Sequence, residues 1–400
     1  MIYFDHAATT PCSNEVIKAM NPYFKDRFGN PSSIYRIGRE AREVITESRE
    51  TIAKILGAKT NEIIFTSGAT ESNNLGIKGA AEASAQILRG RPHIITTKIE
   101  HHCVLDTIKY LEKDYGVEVT YLSVSKEGLV NIDELKKSIK DNTAIISVMM
   151  GNNEMGALQP IAEIGKIIKN INDQRKTTKN KLRLLFHTDA VQAFAFEPIK
   201  VNDLGVDLLS LTAHKFYGPK GVGILYVRQG TPLISQQQGG AQERNRRAGT
   251  ENVPYIIGMA KAMELAEKNR SDYHKRVALI TDYLTERVIK EIPKVELIGP
   301  RDFKNRLPHI ANFLFRGLEG ESVLINLDMN EIACSSGSAC TSGSLEPSHV
   351  TRAMGYSDLD AHGAIRFSTG KLNKKEDVDQ LMKILPGIVN KLRVMSPIAD

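Results

Sequence analysis

Cysteine is scarce in this chain, four in 400 residues, which excludes a disulfide scaffold and fits a reducing compartment. No apolar run approaches the roughly 18 residues of a membrane span. Charge of either sign is not in large excess. The 53 Lys and Arg against 47 Asp and Glu leave +6, less than a nucleic-acid reader or a membrane-surface protein concentrates. Internal repeats and low-complexity tracts are missing as well. Strand-like residues begin at once with Ile2, Tyr3 and Phe4, so no signal or transit peptide is expected. These absences leave a soluble cytoplasmic enzyme as the expectation, with no membrane and no direct nucleic-acid contact.

What is there is ordinary globular material, 41% hydrophobic and 25% charged. At roughly 150 residues per domain the length implies two or three domains, with core enough to need no staple. Seven short β-branched runs alternate with helical patterns: Glu62–Thr66, His93–Thr97, Val117–Val124, Thr143–Met150, Leu182–Asp189, Leu208–Thr212 and Val222–Val227. Several are almost continuously apolar, as strands covered on both faces are. Between them, Leu158–Ile171 carries isoleucines at 161, 164, 167, 168 and 171, a helical spacing. The alternation predicts a large α/β domain around a mostly parallel seven-stranded sheet.

After about residue 260 the texture changes. A long helical pattern from Ile256 to about Lys290 leads to strands near Val295–Ile298 and Ile310–Phe315. A last helix is expected from Asn373, with Glu376 at capping-box spacing. The expected division is a large domain at 15–260 and a smaller α+β domain made of 1–14 and 261–400. The basic stretch Lys169–Arg183, six basic residues and one Asp, reads as a solvated loop.

Ligands of open α/β sheets sit where strands end and helices begin. Ser67-Gly68-Ala69-Thr70 follows one strand, and the free N–H groups of Ala69 and Thr70 with the Thr70 hydroxyl suit a phosphate. The same pattern also opens an ordinary capped helix. Asp189 ends another apolar strand; a buried carboxylate there needs a cationic partner, in a salt bridge or in a site. Lys215 follows the next strand beside His214 and a glycine-rich turn. A desolvated lysine there is suited to Schiff-base chemistry. Phosphate donors, a buried Asp 26 residues before a strand-end Lys and a second domain together point to pyridoxal 5′-phosphate.

Nearly the whole chain resembles the NifS/IscS-type cysteine desulfurases, of the aminotransferase-like (fold type I) pyridoxal-phosphate enzymes. The resemblance runs through Tyr3–Pro11, Phe28–Ser33, Ser67–Asn74, Glu100-His101-His102, Asn152-Asn153-Glu154 and Asp189–Gln192. It continues through His214-Lys215, Arg247–Thr250, Ser335–Ser342 and Ala364–Ser368. The long loop around Cys340, residues 334–346, resembles the NifS/IscS branch rather than the SufS-like one.

The resemblance implies a role for each matching residue. Lys215 holds the cofactor as a Schiff base, Asp189 pairs the ring nitrogen, Gln192 bonds the ring hydroxyl and His101 stacks on the ring as a proton carrier. Ala69, Thr70, Thr212 and His214 hold the phosphate, and Thr250 reaches the partner subunit's phosphate in a homodimer. Asn153 and Arg366 clamp the carboxylate of L-cysteine. Cys340 takes the sulfur as a persulfide, L-alanine leaves, and an iron–sulfur scaffold or another acceptor receives the sulfur. Glu154, His102, Cys12, Cys103 and Cys334 read as packing. The spacing of His101, His102 and Cys103 matches no structural zinc site. No metal is expected, a cluster contact being open only through Cys340. Selenocysteine lyase, another same-fold amino-acid enzyme and a partner-binding protein with a retired site are the competing functions. The mobile composition around Cys340 argues against an aminotransferase, and the intact site set against a retired one.

Overall fold

The computed structural model describes residues 1–178, 182–336 and 347–396. A short strand β1 (Ile2–Tyr3) comes first. Seven strands then build the main sheet: β2 (Ile63–Thr66), β3 (His93–Thr97), β4 (Glu118–Leu122), β5 (Thr143–Ser147), β6 (Leu185–Asp189), β7 (Leu208–Thr212) and β8 (Gly223–Val227). Their order is β2-β8-β7-β6-β5-β3-β4. All neighbours are parallel except β8, which runs antiparallel to both β2 and β7. Strands such as β3, β5 and β7 are buried along their whole length, because helices cover both faces of the sheet. Ile95, Ile146 and Phe186 pack into one core layer, and Ile94, Ile145 and Leu185 into the other. Alternate strand residues point to opposite faces.

A second sheet has the order β12-β13-β10-β9. It contains β9 (Val295–Ile298), β10 (Ile310–Phe315), β12 (Ser335–Ser336) and β13 (Ala364–Ser368), while β11 (Ile332–Ala333) pairs with β1. Phe4, Phe313, Phe315 and Phe367 form its own core with the helix Lys375–Met395. The helix Val253–Glu291 contributes Val253, Ile256 and Met259 to the first core and Leu284 and Val288 to the second. Among the described residues no helix is long and apolar enough to cross a membrane.

Two local expectations are corrected. The stretch Lys169–Arg183 is not a loop throughout: the helix Ile161–Thr177 continues six residues past Ile171, to Thr177. Arg175 is buried there and donates to the carbonyls of Lys140, Thr143 and Leu182. Residues 179–181 lie outside the described set. The last helix starts two residues after Asn373, and Asp377, not Glu376, accepts from the Lys374 N–H at 2.9 Å. Asn373 is occupied elsewhere, donating to the Tyr3 carbonyl and accepting from the Gly370 N–H.

A tight turn lies close to the main sheet. Glu243, Arg244 and Asn245 all have positive φ, at 44°, 58° and 61°, a left-handed conformation that costs a non-glycine residue roughly 1 kcal/mol or more. Buried Glu243 holds it, forming a two-pronged pair with Arg49 at 2.7 and 2.8 Å and accepting from the Phe65 N–H at 3.0 Å.

Candidate active site

The carboxyl ends of the main-sheet strands open into one cavity of about 550 Å³, the size of a small-molecule site. The cavity brings together ten residues singled out in the sequence: Ala69, Thr70, His101, Asn153, Asp189, Gln192, Thr212, His214, Lys215 and Arg366. Thr250 is exposed and does not line it. Cys340 lies outside the described residues.

Lys215 ends the single 3₁₀ turn Ala213–Lys215 that follows β7. Its Nζ donates to the carbonyls of Ala7 at 2.5 Å and Ala8 at 2.8 Å, so the N-terminal segment forms one wall. Gln192 joins the same wall, donating to the Ala7 carbonyl at 3.0 Å. His214 Nδ1 lies 3.1 Å from the Thr9 hydroxyl, and burial holds the ring's pKa down at about 4. A ring kept neutral in this way can accept the hydroxyl proton.

Asp189, the last residue of β6, is buried. Asn73 Nδ2 donates to its Oδ2 at 2.7 Å and the Val191 N–H to its Oδ1 at 3.0 Å. Both holding groups are neutral, in place of the cation expected beside a buried carboxylate. His101 caps the helix His102–Tyr115: its Nδ1 accepts from the Cys103 N–H at 3.2 Å and lies 3.0 Å from the Cys103 sulfur. With Nδ1 an acceptor, the neutral ring carries its hydrogen on Nε2, a tautomer assigned from this hydrogen bond. Burial pushes the pKa of His101 down and favours that neutral form.

Ala69 and Thr70 open the helix Ala69–Leu88, whose cap Gly68 has no side chain to satisfy the first N–H groups. A Cβ on Gly223 would lie 2.7 Å from Gly68 Cα, so the loop before this helix can lie against β8 only because residue 223 is glycine. The Ser67 N–H is held by Glu71 at 2.7 Å, and Glu71 pairs with Arg247 at 2.7 Å. Thr212 lines the cavity and donates its hydroxyl to the Val222 carbonyl at 3.1 Å.

Arg366, buried in β13, donates to the Asn153 carbonyl and to Asp5 Oδ1, each at 2.8 Å. Its Nε has no hydrogen-bond partner among the described residues. Burial raises the pKa of Asp5 despite Arg366 beside it. Two further carboxyls are buried, Glu154 lining the cavity and Glu100 next to His101 in the chain. Burial pushes Glu100 up to about 8 and Glu154 up to about 7. Glu154 accepts from Ser348 at 2.5 Å, and His349 Nε2 lies 2.9 Å from the Glu100 carbonyl oxygen.

Sequence reasoning gave Asn73 and Asp5 no role and read Cys103 as packing. Cys103 is among the residues lining the cavity, and its sulfur lies 3.1 Å from Asn73 Nδ2. Cys12 and Cys334 are partly buried, and burial pushes both thiols up. Among the described residues no group of three or more His, Cys, Asp or Glu could hold a metal.

Comparison with known proteins gives a consistent picture. The aminotransferase class-V profile matches residues 2–381. A protein of Dictyoglomus turgidum named cysteine desulfurase IscS is 51% identical over 396 residues, covering 99% of this chain and 96% of that protein. A solved structure described as a NifS-like protein superposes with a TM-score of 0.88 at 36% identity, covering 98% of this chain and 100% of the other. Another, described as SspA in complex with cysteine, has a TM-score of 0.79 at 36% identity, covering 92% and 99%.

Proposed function

Since this chain belongs to the aminotransferase class-V family, as one of its pyridoxal-phosphate-dependent cysteine desulfurases, we propose that its cavity converts L-cysteine to L-alanine. The sulfur then passes onward as a persulfide on Cys340. The observation that carries the reading is the convergence of Lys215, Asp189, His101 and Arg366, from four separate parts of the chain, on one cavity.

Pyridoxal 5′-phosphate fits the residues present. Asp189 is a buried carboxylate whose protein partners are neutral, so a protonated ring nitrogen would supply the missing positive charge. Ala69 and Thr70 present uncapped helix N–H groups to a phosphate, with Thr212 and His214 beside them. When bound, the cofactor supplies an electron sink next to the substrate α-carbon. Lys215 would anchor it and then take the α-proton at Nζ, steered by the Ala7 and Ala8 carbonyls. His101, neutral and carrying hydrogen on Nε2, is placed to donate a hydrogen bond from that nitrogen. Arg366 and Asn153 line the cavity and orient the substrate carboxylate, for which a guanidinium is well shaped.

In the sulfur step the Cys340 thiolate attacks the substrate sulfur. The S–S bond forms as the C–S bond breaks, and the C–S electron pair stays with carbon. The carbon fragment takes up a proton and leaves as L-alanine, and the persulfide remains. The reading includes a homodimer in which Thr250, exposed in the single chain, serves the neighbouring subunit; the exposed apolar side chains of Phe24, Phe28, Ile34 and Tyr35 are in keeping with a second copy. An iron–sulfur scaffold or another thiol acceptor takes the sulfur. The division into 15–260 and 1–14 with 261–400 places Lys215 on the larger part and Arg366 on the smaller. The test is alanine release from L-cysteine by the purified protein loaded with cofactor. Release matched by sulfur transfer to a thiol supports the reading, and none overturns it.

A further inference from the structure

Behind Asp189 lies a chain of hydrogen bonds that the proposed reaction does not use. Asn73 comes from the helix Ala69–Leu88, His187 from β6 and Ser147 from β5, and all three are 0% exposed. Asn73 Nδ2 reaches Asp189 Oδ2 at 2.7 Å and the Cys103 sulfur at 3.1 Å. The nitrogen must face the carboxylate, because an amide oxygen there would meet another acceptor. Asn73 Oδ1 is thereby turned toward His187 Nε2, 3.1 Å away, which must donate. His187 Nδ1 is left as acceptor for the Ser147 hydroxyl at 2.8 Å. Burial pushes the pKa of His187 down to about 3, so the ring stays neutral and holds a single tautomer.

We propose that Asn73 and His187 are positioning residues: Asn73 aims the Asp189 carboxylate at the cofactor ring nitrogen, and His187 locks the Asn73 amide in the one orientation that can do so. The proposal rests on the reading of Asp189 as the ring-nitrogen partner. It also links Asp189 to His101, the two residues that would meet the ring. The same amide that holds Asp189 touches Cys103, and Cys103 lies against the Nδ1 side of His101. A buried amide with its donors and acceptor all engaged cannot rotate without leaving a polar group unpaired, so the carboxylate is held in place before the cofactor arrives.

The test uses purified holoenzyme of four variants: Asn73→Leu, His187→Leu, His187→Gln and Asp189→Asn. The readouts are the dissociation constant of pyridoxal 5′-phosphate, the absorbance maximum of the bound cofactor, and kcat and KM for L-cysteine. Asn73→Leu and His187→Leu are expected to weaken cofactor binding about tenfold or more, the scale of a hydrogen bond to a charged group. They should shift the absorbance maximum and lower kcat with KM little changed. His187→Gln keeps an N–H donor and should restore most of each. Should Asn73→Leu not fold, Asn73→Ser, too short to reach Asp189, decides by the same measurements. Folded Asn73 and His187 variants with wild-type affinity and absorbance, beside an Asp189→Asn that loses both, would overturn the proposal. An Asp189→Asn that itself changes neither would overturn the reading of Asp189 instead.

Discussion

Asp5 Oδ1 lies 2.8 Å from Nη2 of Arg366, so the guanidinium proposed for the substrate carboxylate already faces a carboxylate from its own chain. Arg366 is almost fully buried while the Asp5 side chain is 18% exposed. Removing one partner of such a pair strands a charge and costs about 3 kcal/mol. Asp5→Asn is therefore expected to lower the melting temperature, and an incoming carboxylate should make good part of the loss. L-Alanine should raise the melting temperature of the variant more than that of the wild type. Equal shifts in the two proteins would argue against Arg366 as the carboxylate site.

Cys340→Ser should keep cofactor binding and the spectral response to L-cysteine, because neither uses that sulfur. Alanine release should fall by orders of magnitude, since a hydroxyl is a far weaker nucleophile than a thiolate at neutral pH. Mass spectrometry of the peptide carrying residue 340 reads the added sulfur. A persulfide found on Cys12, Cys103 or Cys334 instead would displace the assignment.

Glu100 gives a pH-dependent prediction. Burial raises its pKa from 4.5 to about 8, so between those values the folded protein holds a proton that the unfolded chain has lost. Stability is then highest on the acid side of this window and falls as pH rises through it, by up to about 1.4 kcal/mol per pH unit. Glu100→Gln, a mimic of the protonated carboxyl, removes that slope. Thermal melts at pH 5 and pH 9 should show little difference at the lower pH and a more stable variant at the higher.

Thr250 can be tested by mixing chains. Lys215→Ala and Thr250→Ala proteins should each turn over poorly. If Thr250 serves the neighbouring subunit, a mixed dimer holds one site with both residues intact and one with neither. Denaturing, mixing and refolding the two should then recover activity that neither has alone, up to about half the wild-type value per mixed dimer. No recovery in a verified mixed dimer places Thr250 in its own subunit's site or in none.

The parts of this fold that local pattern controls were legible in the sequence. Residues His93–Thr97 and Leu208–Thr212 read as strands with the ends the structure gives them, because a doubly covered strand must be apolar throughout. Lys215 and Asp189 stood out because polar groups at the ends of such strands are conspicuous. What failed was set by distant partners. The outer face of the helix through Arg175 is polar and looks like a loop, and its three carbonyl acceptors come from other segments. Asn73 meets Asp189 across 116 residues and His187 across 114, and no spacing rule covers such distances. The capping residue of the last helix was missed by one position because Asn373, a good cap by type, is tied to Tyr3.

The helix Val253–Glu291, 39 residues and so about 58 Å long, is shared by the two cores. Neither core can melt alone without stripping that helix of half its packing, and the bared half would face water with its apolar side exposed. Two bodies joined by a flexible linker would give two calorimetric peaks; here the shared helix makes their loss a single cooperative event. The protein is expected to show one sharp heat-absorption peak with matching calorimetric and van't Hoff enthalpies, and a substitution such as Met259→Ala should move that one peak rather than split it.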